Sequence, residues 1–221
     1  MPKMTFNNLP EEKKDRIVNV AIVEFASKPY EAASISEIVR KAGIAKGSFY
    51  QYFNDKKDLY RYLIELSNTE KADLMKELPA PDPDADLFGY FRWLFQSTVY
   101  FEIRRPLLAR ITYRAFVEEI PFPEMVEELR RRGTTQFFKQ LLSQGIIHGV
   151  VAPLVDPDTA AFILESTYYR FGPYFINRLN IEPGSMEIST LFQSAEAQEM
   201  ITNLLDIFRS GMQPEQQPPQ G

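Results

Sequence analysis

Apolar residues recur at helical spacing along almost the whole chain. Ile17, Val20, Ala21 and Phe25 share one face of a helix predicted over residues 10–26, with Pro10 in its first turn and Glu11 and Glu12 at its positive end. Ile35, Ile38, Val39 and Ala42 predict a second, shorter helix. Ser34-x-x-Glu37 opens it as a capping box: the Ser34 hydroxyl is expected to accept from the Glu37 N–H, and the Glu37 carboxylate to reach back to the Ser34 N–H. Gly43 closes it, as a residue free to take positive φ. A third helix starts at Lys46 and carries Phe49 and Phe53 one turn apart. A fourth, capped by Asn54, turns Leu59, Tyr62, Leu63 and Leu66 inward and runs to Lys76. Residues 79–86, PAPDPDAD, cannot continue it. Beyond them helices are predicted over 86–104, 106–119, 123–144, 157–179 and 194–210, punctuated by Pro106, Pro121, Pro123 and Pro153. Asp156 caps the 157–179 helix, and Gly172-Pro173 should kink or briefly break it. Strand signals are poor and no internal repeat is visible. The pattern predicts an all-α protein with a helix-turn-helix domain over 1–78, a larger helical domain over 79–212 and a disordered tail over 213–221.

The helix that starts at Lys46 can be read by angle at 100° per residue. Phe49 and Phe53 define its buried side, and Gly47, Ser48, Tyr50 and Gln51 lie opposite, with Lys46 and Tyr52 on the flanks. A helix in the DNA major groove needs small residues for close approach, polar tips for base edges, and cations and hydroxyls for phosphates. Gln51 and Tyr50 are therefore candidate base readers; Lys46, Tyr52 and Lys56 are candidate phosphate contacts, and Ser34 and Ser36 complete the candidate DNA-binding set. An ordinary surface helix with core aromatics is the alternative.

Composition sets bounds on the chemistry. The 221 residues contain no cysteine, so disulfides, thiolate nucleophiles and cysteine zinc sites are excluded. The lone histidine, His148, has no carboxylate at ligand spacing, so no metal is expected. Neither Ser166 nor Ser185 lies in a nucleophile elbow, and no glycine-rich phosphate loop exists; the chain is not expected to be an enzyme or to need a cofactor. The net charge of −5 speaks against nucleic acid until it is divided. Residues 1–76 hold 13 Lys and Arg against 11 Asp and Glu, net +2; the remainder holds 12 against 19, net −7. DNA binding responds to the local field. No apolar run is long enough to span a membrane and the first residues lack a signal-peptide core, which predicts a cytoplasmic protein.

Ile17, Ala21 and Phe25, then SISEIVRKAG, then AKGSFYQYF, then Lys56 and Leu59 together resemble the N-terminal DNA-binding domain of TetR-family transcriptional regulators. Pro29 stands where that family often has Gly, and Ala45 where it often has Ser or Thr; alanine cannot cap a helix. The resemblance implies a homodimer on double-stranded DNA with a palindromic operator, a dimeric four-helix bundle from the last two long helices, and a small-molecule inducer that releases a repressor. By resemblance, Ile201, Leu204, Leu205 and Phe208 would form the dimer interface. The second domain carries more aromatics than one helix seam buries. Trp93, Tyr113, Phe116, Phe138 and Tyr168 are candidates to line a pocket for a largely apolar inducer, with Arg110, Arg114 and Glu165 as charged candidates. A helical enzyme whose catalytic site is scattered in sequence, or a helical protein–protein adaptor, remain the rival readings.

Overall fold

The computed structural model describes residues 2–117, 120–182 and 188–214. Among these there are twelve helices and no strand. They are α1 (Met4–Asn7), α2 (Glu11–Ser27), α3 (Ile35–Ala42), α4 (Lys46–Tyr52), α5 (Lys56–Met75), α6 (Leu87–Arg104), α7 (Pro106–Val117), α8 (Pro123–Arg132), α9 (Thr134–Ile147), α10 (Pro157–Arg178), α11 (Ile188–Gln193) and α12 (Ala195–Met212). Most of the tail expected to be disordered, from residue 215 on, lies outside the described residues.

The chain divides into two compact units: Met1–Asp73 with Arg105–Pro121, and Leu74–Arg104 with Phe122–Gly221. In the first unit α3 packs on α2 and α4, and Ile17, Phe25, Ile38, Phe49, Phe53 and Leu59 are fully buried. Helix α7 follows the proline-rich boundary in sequence, yet it packs here against α2. Ser67 Oγ donates to Leu108 O at 3.2 Å and shares a 2.5 Å hydrogen bond with Thr112, so two buried hydroxyls tie α7 to α5.

The second unit is built around α6, which packs on α10 and α12; α9 packs on α10 and α8. Phe91, Phe95, Phe138, Leu142, Leu164 and Phe175 lie in its core. Two expectations are corrected here. The single helix expected over 123–144 is two helices, α8 and α9, divided at Gly133, whose φ of −113° and ψ of −101° are not helical. Glycine loses the most freedom in a helix, and Thr134 and Thr135 just after it spend their hydroxyls on Tyr169 and Glu165. Of the kink or brief break expected in α10, the break is absent: Pro173 lies inside a continuous helix. A Cβ on Gly172 would stand 2.7 Å from Glu102 Cγ and 3.3 Å from Thr98 O, so this glycine permits close packing of α10 on α6.

Candidate nucleic-acid interface

The turn between α3 and α4 forms as its residues dictate. Ser34 Oγ accepts from the Glu37 N–H at 3.4 Å, and Gly43 ends α3 in the left-handed region at φ +66°. The second half of the expected capping box is replaced. The Ser34 N–H donates to Glu24 Oε1 at 3.1 Å, while the Glu37 carboxylate pairs with Arg40 at 2.6 Å. Glu24 is only 1% exposed, so its carboxylate must find partners; Lys28 at 2.6 Å and Lys41 at 3.8 Å supply the charge. Burial pushes the Glu24 carboxyl up, but the hydrogen bonds from Lys28 and Ser34 and the charges of Lys28 and Lys41 outweigh it, and the net displacement is downward. Spacing could not show this contact, because Glu24 lies ten residues before Ser34 on another helix.

Phe49 and Phe53 are fully buried and hold α4 from below. Lys46, Gly47, Tyr50 and Gln51 are exposed and Ser48 is half-buried. A Cβ on Gly47 would meet nothing within 4 Å, so this side is open. Ser36 is exposed beside the half-buried Ser34. No side chain caps α4, because Ala45 precedes it. Two phosphate candidates are placed differently from expectation. Tyr52 is 5% exposed, with its ring 5.9 Å from Phe6 and Lys13 Nζ above it at 5.9 Å, so packing has claimed the ring. Lys56 Nζ donates to the carbonyls of Tyr30, Glu31 and Ala33 at 2.8, 3.2 and 3.1 Å and lies 4.3 Å from the Tyr30 ring centroid. It orders the turn before α3, and a phosphate would have to displace one of these bonds.

The N-terminal residues contribute a part that the periodic pattern missed. Lys3, Thr5 and Phe6 lie against the C-terminal end of α4, where Lys3 Nζ donates to Tyr50 O at 2.8 Å and the Thr5 hydroxyl to Gln51 O. A four-residue helix shows no periodicity; the one available signal was Phe6, a large apolar residue in a polar stretch.

The ligand candidates fall into two groups. Arg110, Tyr113, Arg114 and Phe116 belong to α7 and the first unit, where Arg114 Nη1 donates to Phe25 O at 3.5 Å. Trp93, Phe138, Glu165 and Tyr168 belong to the second. There the Phe138 and Tyr168 rings meet at 5.7 Å, and Glu165 accepts from Thr135 Oγ1 at 3.0 and 3.1 Å with Arg130 Nε at 3.4 Å. Burial pushes the Glu165 carboxyl up, against the pull of Arg130 and Thr135. Trp93 Nε1 donates to Leu78 O at 3.2 Å, so the protein itself satisfies the indole.

The four residues expected at the dimer interface are placed unequally. Ile201, Leu205 and Phe208 face their own protomer's core, and Leu204 packs at its edge. Periodicity finds a buried stripe without saying what buries it. On α10 the exposed large apolar residues are Phe162, Ile163 and Tyr174, and on α12 Ile207. A groove of about 470 Å³ runs between these helices, lined by Arg170, Phe171, Tyr174, Met200, Leu204 and Ile207 among others.

A capped helix, a left-handed turn and a second helix with an open polar side define a helix-turn-helix DNA-binding protein. Residues 17–63 match the model of bacterial regulatory proteins of the tetR family, and residues 85–213 match the tetracyclin repressor-like C-terminal domain. A TetR-family transcriptional regulator from Chloroflexus aurantiacus J-10-FL superposes with a TM-score of 0.78 at 39% identity, over 97% of this chain and all of that one. The HTH-type transcriptional regulator AcrR of Shigella flexneri is 28% identical over 152 residues, 67% of this chain and 69% of AcrR. FadR of Bacillus subtilis, solved in complex with stearoyl-CoA, shares the fold with a TM-score of 0.63 at 17% identity, over 89% of this chain and 97% of that one. The chain belongs to the TetR family of bacterial transcriptional regulators. It is a DNA-binding regulator in a family of regulators rather than enzymes, and no described helix is long and apolar enough to cross a membrane.

Proposed function

We propose that this protein is a homodimeric repressor that reads a palindromic operator with α4 and leaves it when a small, largely apolar molecule binds the second unit. The observation that carries the reading is the open side of α4: Lys46, Gly47, Tyr50 and Gln51 are exposed on a helix that Phe49 and Phe53 fix from below. Gln51 suits the N6 and N7 edge of adenine, Tyr50 reads beside it, and Gly47 lets the backbone approach. Lys46 is the principal phosphate contact, with Ser34, Ser36, Ser48 and the Tyr52 hydroxyl as secondary ones and Lys56 holding the preceding turn. One seven-residue helix reads too few bases for useful specificity, so two copies are needed, and two-fold symmetry in the protein demands an inverted repeat in the DNA. The exposed apolar residues of α10 and α12 are the surface on which the second copy seats. The protein then works in the cytoplasm, where such DNA is found.

For the inducer, Phe138 and Tyr168 supply apolar walls and Glu165 a buried polar point. The fold relative solved with stearoyl-CoA supports a small-molecule ligand of this kind. Only Arg105 separates α6 of the second unit from α7 of the first, which gives a ligand that biases α6 a covalent route to α7.

Selection of duplexes from random-sequence DNA by the full chain tests the reading. An inverted repeat should emerge. Lys46→Ala should weaken all sequences about equally and lower the salt slope by about one per subunit. Gln51→Ala should instead relax preference at one base pair per half-site, a discrimination of about 1–3 kcal/mol. Identical motifs and salt slopes for both variants and the parent would reject α4 as the reader.

A further inference from the structure

We propose that Lys3, Thr5 and Phe6 form a clamp that sets the orientation of the recognition helix, so that residues touching no base tune operator affinity and specificity. The functional half rests on α4 being the DNA-reading helix.

The last carbonyls of a helix have no partner within it. In α4 these belong to Phe49, Tyr50, Gln51 and Tyr52. The first accepts from the Phe53 N–H at 2.9 Å. The other three are all met by the N-terminal segment. Tyr50 O accepts from Lys3 Nζ at 2.8 Å, Gln51 O from the Thr5 hydroxyl, and Tyr52 O from the Lys3 N–H at 2.9 Å. The partners lie some forty-seven residues earlier in the chain, so this is a tertiary device and not a local cap. The Lys3 ammonium also stands at the negative end of the α4 dipole.

An anchor holds the clamp in place. Phe6 is fully buried, with its ring 4.8 Å from Phe53, 5.9 Å from Tyr52 and 5.7 Å from Tyr62. Helix α1 packs on α4 directly and closes with the Asn8 N–H on Met4 O at 3.0 Å.

Helix α4 needs such help. Seven residues are too few for a helix to be stable alone, and Ala45 offers no side chain to its start. The carbonyls that the clamp holds belong to Tyr50, Gln51 and Tyr52, the residues whose side chains address the DNA. Where a bidentate base contact depends on the angle of its helix, fixing the backbone beneath it lowers the ordering that binding would otherwise require. Lys3, Thr5 and Phe6 are thus positioning residues.

The test uses the full chain, the duplex that the parent chain enriches from a random-sequence library, and the variants Lys3→Met, Thr5→Val, Thr5→Ser and Phe6→Ala. In DNA-free protein, Thr5→Val and Lys3→Met should speed hydrogen exchange at the amides of residues 50–53, while Thr5→Ser keeps the parent rate. Each of the first two should weaken the duplex about fivefold, the equivalent of one net hydrogen bond, and blur the motif under Tyr50 and Gln51. The salt slope should not change, because no phosphate contact is lost. Phe6→Ala should do the same more strongly; if it unfolds the domain instead, the two clamp variants decide. Parental exchange, affinity and motif in Thr5→Val and Lys3→Met would overturn the clamp. A salt slope lowered by about one in Lys3→Met, with Thr5→Val neutral, would make the segment a phosphate-binding arm instead. A parent chain that enriches no duplex removes the DNA-reading role itself, and the exchange rates then decide alone whether the clamp exists.

Discussion

Single residues at the turn carry effects that their neighbours do not predict. The Glu24 carboxyl lies below its ordinary value of 4.5 when folded, so the folded chain binds fewer protons than the unfolded chain across that range. Its stabilisation is therefore complete above the ordinary carboxylate range and is lost as pH falls through the lower folded value. Glu24→Gln should cost stability at pH 7 and progressively less as pH falls below the ordinary carboxylate range, so urea midpoints of parent and variant should converge on acidification; a constant gap between the curves would deny Glu24 this role. Two backbone positions give opposite signs. Ala45 has the extended backbone of an N-cap, with φ −69° and ψ 145°, but no side-chain acceptor. Ala45→Ser should raise stability by about 0.5–1 kcal/mol. Gly43 at φ +66° has open space around its missing Cβ, so Gly43→Ala pays only for its backbone, about 1–2 kcal/mol. Denaturant titrations of both variants measure these changes; a stabilised Gly43→Ala would mean that α3 ends differently. The hydroxyl half of the capping box and the left-handed glycine were legible because both are local to four or five residues. The Glu24 partner was not, because it arrives from another helix.

At the scale of elements, the sequence was most legible where a helix is long and its ends carry chemistry. Helices α2, α5, α6, α10 and α12 lie within two residues of the bounds that periodicity, Asp156 and the prolines predict. What escaped falls below the length at which a period can be seen: α1 and α11 span four and six residues. The break between α8 and α9 escaped because Gly133 was the only mark, and glycine inside a helical pattern is also tolerated. Gly172 and Gly145 show that tolerance in use. A Cβ on Gly145 would lie 2.7 Å from Leu87 Cδ2 and 2.8 Å from Val151 Cγ2, both in buried core residues with no room to swing away. Alanine would gain about 1 kcal/mol in helix propensity. Overpacking costs about 1–3 kcal/mol and should win. Gly145→Ala should therefore lower the unfolding midpoint, and a raised midpoint would show that α9 can shift away from α6 at little cost.

For the whole molecule, the exposed side of α4 was legible from one helix read by angle, whereas what covers an apolar stripe was not, since burial within a protomer and burial between protomers leave the same period in the sequence. The structure shows which residues the protomer itself buries. Leu205 is 2% exposed and belongs to the protomer core, while Ile207, two residues on, is 70% exposed. On α10, Tyr174 lines the same groove as Ile207 and is exposed, and Phe162, at 62%, and Ile163 are exposed on the same helix. Large exposed apolar side chains on two helices mark a surface for a partner, and under the proposed reading of a palindromic operator a second copy is that partner. The two substitutions should then fail in different ways. Leu205→Glu buries an unpaired carboxylate and should cost the fold itself, seen as lost helicity. Ile207→Glu points into solvent in the isolated protomer and should leave helicity and the unfolding midpoint close to the parent's. In the dimer it places two like charges across a desolvated seam, so the protein should sediment as a monomer. A monomer engages one half-site at a time, and the gain from linking two recognition helices disappears. Ile207→Glu should therefore bind the full inverted repeat no more tightly than a single half-site, while the parent prefers the full repeat by well over tenfold. A dimeric Ile207→Glu protein that keeps this preference would move the interface off α10 and α12.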